Sequence, residues 1–202
     1  ERLDKQLVIV TPTLLQATQT YEELSEWYDD EVVHLFPVEE SLAADFSVVS
    51  PDVVSQRIRT LDFLSRGQKG IVIVPLSGIQ KLLVPAAVWK KSSIELAMGS
   101  EIESMDAFVE QLVELGYRRE NMVATPGEFA LRGSIVDIYP LDQEYPLRLD
   151  FFDTEVDSIR AFNAETQRSM DVINEVRILP ATDLPLQKEA VWKAQAKIHA
   201  LY

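Results

Sequence analysis

From Gly127 to Phe162 the chain reads "GEFALRGSIVDIYPLDQEYPLRLDFFDTEVDSIRAF", short alternating segments separated by turn residues. Few patterns restrict a fold as much, because strands of period 2 joined by short turns belong to an antiparallel sheet with one face on a core. In "LRLDFF", Leu147, Leu149 and Phe151 share one face, which must be the core face, and Arg148, Asp150 and Phe152 share the other. A two-residue turn at Asp153 and Thr154 would pair Phe152 with Glu155, Asp150 with Asp157 and Arg148 with Ile159. The outer face then holds Phe152, Ile159 and Arg148 among carboxylates. Asp150 opposite Asp157 is unfavourable unless an arginine bridges them, and Arg132 is the candidate.

The segments before this sheet have another texture. "LVIVT" (7–11) is a continuous β-branched run, expected to be a strand buried on both faces. A helical stretch, "LLQATQTYEELSEWY", a strand at "EVVHLFP", the loop "VEESLAADFSVVS", the helix "PDVVSQRIRTLDFLSR" and the apolar strand "GIVIVPL" follow. Ser50 as N-cap, Pro51 at the first helical position and Asp52 in the first turn fix the start of that last helix. Strand and helix in alternation predict a parallel α/β layer.

From about residue 90 come a strand in "SSIELAMGSEI", an amphipathic helix capped by Ser104 and closed by Gly116, the alternating segments, a return strand in "EVRILPA" and a terminal helix in "LQKEAVWKAQAKIHALY". The expected organisation is an α/β domain of residues 1–89 and 179–202, with an α+β module of residues 90–178 inserted or appended.

Composition excludes several functions. The absence of cysteine removes disulfides and thiolate zinc sites. His34 and His199 stand far apart in no ligand-like cluster, so no metal is expected. No apolar run approaches the ~20 residues of a membrane span, and a cytoplasmic protein is the default. The net charge is -14, with 7 basic against 13 acidic residues up to Trp89 and 12 against 20 beyond it. Both halves therefore repel phosphate backbones, and nucleic-acid binding by this piece is not expected. The start at "ERLDKQ", without Met, suggests a fragment of something longer.

Neither G-x-x-x-x-G-K-[ST] nor G-x-G-x-x-G occurs, and "RGQKG" precedes a strand instead of following one. A phosphate loop ahead of residue 1 would make the chain part of a nucleotide-dependent enzyme, and that alternative stays open. The acid pairs Asp29 with Asp30 and Glu39 with Glu40 lack a histidine or nucleophile beside them and read as solvated loop charges. Trp27, Trp89 and Trp192 read as packing residues. The outer face of "LRLDFF" has a plain reading, Phe152 curled under a loop with arginines neutralising acids. Its sharper reading is a protein-binding patch, because arginine and aromatic anchors ringed by polar groups compose interface hot spots.

"GEFALRGSIVDIYP" followed by "PLRLDFFDTEVDSIRAFNAETQRS" closely resembles the amino-terminal region of the bacterial transcription-repair coupling factor (Mfd) family and, more distantly, UvrB of nucleotide excision repair. "QRIRTLDFLSRG", "IVIVPLSGIQKL" and "RILPATDLP" extend the likeness along nearly the whole chain. The resemblance implies a degenerate helicase-type (P-loop NTPase-type) α/β domain without a working ATP site, and an inserted UvrA-binding module. It carries the partner contact onto Arg132, Arg148 and Phe152, with Asp150 in place of the family's strand acid. Ala130 stands where UvrB-like sequences often have a second arginine.

It implies, further, a non-catalytic adaptor holding no cofactor of its own. The parent would be an ATP- and Mg-dependent DNA translocase that meets RNA polymerase and DNA through other domains. A third reading is a structural domain whose arginine and phenylalanine face is covered by the rest of its own chain.

Overall fold

The computed structural model describes residues 5–38 and 50–185. They form two compact units that divide between Lys91 and Ser92.

In the first unit the elements are β1 (Gln6–Thr11), α1 (Leu14–Ser25), β2 (Val33–Leu35), α2 (Pro51–Arg66), β3 (Gly70–Pro75), α3 (Leu76–Ile79) and α4 (Ala86–Lys91). The strands make a parallel sheet in the order β1-β3-β2. Every residue of β3 is buried, as its apolar run requires at a central position. The similar run in β1 corrects the expectation of burial on both faces. Among the described residues β1 is an edge strand, and Leu7, Val8 and Val10 are 45%, 50% and 48% exposed. A local apolar run records that a strand wants neighbours, and the order of the sheet decides how many it has.

The start of α2 follows its sequence signals. Ser50 Oγ accepts the Asp52 N–H at 3.3 Å, Pro51 opens the helix and Asp52 lies in its first turn. The glycines of "RGQKG" have structural uses. Gly67 is the left-handed C-cap of α2, with φ 67°. A Cβ on Gly70 would lie 2.4 Å from the Val32 carbonyl oxygen. His34 stacks on Phe63 with ring centroids 4.1 Å apart, and burial lowers its pKa. Asp29 and Asp30 are exposed. Trp89 is buried, but Trp27 is 81% exposed and is no packing residue within this unit.

The second unit comprises β4 (Ile94–Ala97), α5 (Met105–Glu114), β5 (Arg118–Arg119), β6 (Glu128–Arg132), β7 (Ile135–Ile138), β8 (Leu147–Phe152), β9 (Glu155–Phe162), β10 (Ser169–Val172) and β11 (Glu175–Ile178). β10-β9-β8-β7-β6-β5 form a six-stranded sheet, antiparallel except for the β5–β6 pair. The return strand β11 pairs with β4 as a separate antiparallel ribbon. The protein is thus of the α/β class, a three-stranded parallel sheet with helices and a separate, mostly antiparallel sheet.

The core of this unit joins Phe108, Leu112 and Leu115 from and just after α5 to Phe129, Val136, Ile138, Leu147, Leu149, Phe151, Val156 and Ile159 on one face of the sheet. Full burial of each such side chain contributes about 1.5–3 kcal/mol. Ser104 caps α5 by accepting the Ala107 N–H at 3.1 Å, and Gly116, φ 91°, follows its end. The chain just beyond Ile178 remains with this unit. Leu179 accepts the Tyr117 hydroxyl at 2.7 Å, and the Ala181 N–H donates to the Leu115 carbonyl. The terminal helix, with Trp192 and His199, and the Glu39–Glu40 pair lie outside the described residues.

Candidate functional site: the outer face of the six-stranded sheet

Two hairpins build this face. β6 turns into β7 through Gly133 and Ser134, with Arg132 opposite Ile135. β8 turns into β9 through Asp153 and Thr154, with Phe152 opposite Glu155. The first loop residue of each has positive φ, 65° at Gly133 and 57° at Asp153, as tight hairpins demand. Because β6 and β8 both run antiparallel to β7, Arg132 and Phe152 come to the same end of the sheet.

Leu147, Leu149 and Phe151 point into the core, and Arg148, Asp150 and Phe152 lie opposite, as the alternation requires. Phe152 is 79% exposed, so it does not curl under a loop. Beyond the turn the register departs from expectation. A bulge between Asp150 and Phe151 makes Asp157 an extra residue, so Asp150 faces Ser158 and Arg148 faces Arg160. Ile159 pairs with Leu149 and is fully buried, which removes it from the outer face. No Asp150–Asp157 repulsion arises, and no arginine is needed to bridge it.

The arginines converge on a different carboxylate, Asp137. It sits between Val136 and Ile138 in β7, directly opposite Arg148, and is fully buried. Arg148 grips it side-on with two donors of one guanidinium edge, Nε to Oδ1 at 2.6 Å and Nη2 to Oδ2 at 2.9 Å. Arg132 adds a hydrogen bond from Nη2 to Oδ2. The Arg148 guanidinium carbon lies 4.6 Å from the centroid of the Phe162 ring, within cation–π range. The Asp137 hydrogen bonds hold the Arg148 pKa above its usual value against the opposing effect of burial. Arg148 is therefore less open than alternation alone implies, its side chain 19% exposed against 47% for Arg132.

Sequence reasoning passed over Asp137, although its signal is present. A lone carboxylate inside "SIVDIYP" cannot be buried without a cation. Ala130, 1% exposed, packs with Val123 and Phe162 in a small apolar cluster beside the ion pairs. A second acid behaves similarly. Glu128 is buried and accepts the N–H groups of Ala124 and Thr125 at 2.9 Å each, with Arg118 3.3 Å away. Burial raises its pKa, but these hydrogen bonds and Arg118 outweigh that and leave it lowered. The face thus buries Glu128 and Asp137 while Arg118, Arg132 and Arg160 are exposed. Asp150 is partly exposed and Glu155, opposite Phe152, is exposed. The arrangement is suited to recognition by hydrogen bonding and apolar insertion. Among the described residues no group of histidine and acidic side chains could hold a metal ion, and no helix is long and apolar enough to cross a membrane.

Residues 94–184, which include the antiparallel sheet that carries this arginine and phenylalanine face, match the family model of the UvrB interaction domain. Over 198 residues, 98% of its length, the chain is 44% identical to the transcription-repair-coupling factor of Staphylococcus epidermidis. It is 42% identical over 198 residues to the same factor in Staphylococcus haemolyticus and 42% over 199 residues in Staphylococcus aureus strain Mu50, again covering 98% of this chain. Over nearly its whole length the chain is thus similar to a segment of transcription-repair-coupling factor, and it spans 17% of the length of these curated relatives.

Proposed function

We propose that this chain is a non-catalytic adaptor that recruits UvrA in transcription-coupled nucleotide excision repair, through Arg132, Arg148, Asp150 and Phe152. The observation that carries the reading is Phe152, a large apolar side chain 79% exposed on the same sheet face as a fixed arginine pair. Aromatic and arginine anchors of this kind concentrate binding energy. In the whole protein an ATP- and Mg-dependent DNA translocase elsewhere in the chain would displace a stalled RNA polymerase in the cytoplasm, and this module would pass the site to UvrA. The first unit, on this reading, is a helicase-type layer that has lost its ATP site, and the rest of the parent chain covers the Phe152 face at rest.

The test is calorimetric titration of purified UvrA with the chain and with Phe152→Ala. A loss of roughly 2 kcal/mol, about thirtyfold in affinity, is expected. Unchanged affinity for Phe152→Ala, or no binding by either chain, would overturn the reading.

A further inference from the structure

The pair of arginines raises a question that recognition of a partner does not answer, namely why a fully buried carboxylate lies beneath them. Asp137 is flanked by Val136 and Ile138, and its cross-strand neighbour in β6 is Ala130, which packs with Val123 and Phe162 in an apolar cluster. Apolar side chains often replace a buried ion pair with no loss of stability, so stability alone does not account for an aspartate here. What the carboxylate does provide is direction. It occupies Nε and Nη2 of Arg148, pressing that guanidinium against Phe162, and it takes Nη2 of Arg132. Arg148 has little edge left to offer, its Nη1 lying 3.5 Å from the Gln167 carbonyl oxygen. Arg132 is the more exposed of the two and sits at the last residue of β6, where an unanchored side chain would sample many rotamers.

We infer that Asp137 is a positioning residue for partner recognition: it holds the Arg132 guanidinium in its binding orientation, with Arg148 as the second jaw that keeps the carboxylate in place. The inference rests on the UvrA reading for the identity of the partner, and on the geometry alone for the ordering of Arg132. Ordering a long side chain before contact removes part of the entropy lost on binding. Asp137 needs no contact with the partner to do so.

Asp137→Asn by itself leaves Arg148 without its counter-charge, and Arg148→Gln leaves the buried Asp137 to Arg132 alone. Each variant's folding is verified by its urea denaturation, and the two effects are separated by a pair that shares the Arg148 change. The informative comparison is therefore Arg148→Gln against Asp137→Asn/Arg148→Gln. Both lack the Arg148 charge, and only the first retains an anchor for Arg132. Two readouts on the 202-residue chain are taken, UvrA affinity and the mobility of the Arg132 Nε–H by nitrogen-15 relaxation. The double variant is expected to bind about tenfold more weakly than Arg148→Gln, the scale of ordering one or two side chains. Its Arg132 signal should become mobile while that of Arg148→Gln stays ordered. Equal affinities, or an Arg132 equally mobile in both, overturn the inference. A wild-type chain that ignores UvrA while Arg132 loosens only in the double variant sinks the recruitment reading and upholds the positioning.

Discussion

Phe152 and Arg148 are four residues apart on one strand face, yet they answer to different physics. Phe152 is 79% exposed, so Phe152→Ala should change folding stability by no more than about 0.5 kcal/mol. Arg148 neutralises a buried carboxylate, and Arg148→Ala leaves Asp137 to Arg132 alone. Urea denaturation should show a loss of about 2–3 kcal/mol for Arg148→Ala, near the cost of stranding a buried charged group. A stability equal to that of Phe152→Ala would show that Arg132 alone suffices. The contrast also marks where the site was legible. Strict alternation places Phe152 outward, where its side chain is 79% exposed. It also places Arg148 outward, but cannot register that a neighbouring strand supplies a carboxylate under it. Asp137 is visible only if the apolar run around it is questioned.

Among the elements, caps and turns were the most readable, because their chemistry is local. Ser50, Ser104, Gly116 and the Asp153–Thr154 turn act over three or four residues, and each is found where its neighbours dictate. The bulge at Asp157 and the edge position of β1 are not local, since both depend on which strand lies alongside. Past the bulge the alternation of β9 inverts, so Ile159 turns from the outer face to the core. Glu128 gives the β5–β6 region its own test. Its folded-state pKa is lowered from 4.5, so its contribution is complete above the unfolded value and is lost as pH falls through the folded one. Thermal melts of wild type and Glu128→Gln should therefore differ most near neutrality and converge at the acid end. A gap that stays constant from pH 7 down to about pH 3 would mean that ionisation of Glu128 contributes nothing.

At the scale of the molecule, a net charge of -14 coexists with an arginine-bearing face. Arg118, Arg132 and Arg160, exposed on this face, leave the long-range field of a chain with 33 acidic residues negative. The chain alone should thus fail to shift duplex DNA in a gel at micromolar protein and about 0.15 M salt. A shift at sub-micromolar protein would reveal a basic track that the fold does not suggest. The strand periodicity changes near residue 90, and the two compact units divide between Lys91 and Ser92. Among the described residues β1 has a strand on one side only, which has a practical consequence. Its outer row of backbone donors and acceptors, together with Leu7, Val8 and Val10 at the surface, is the kind of ledge on which another polypeptide can crystallise strand by strand. Concentrated stocks of the isolated chain are exposed to slow fibrous precipitation, and a lysine in place of Val8 would be the first remedy for a laboratory preparing it.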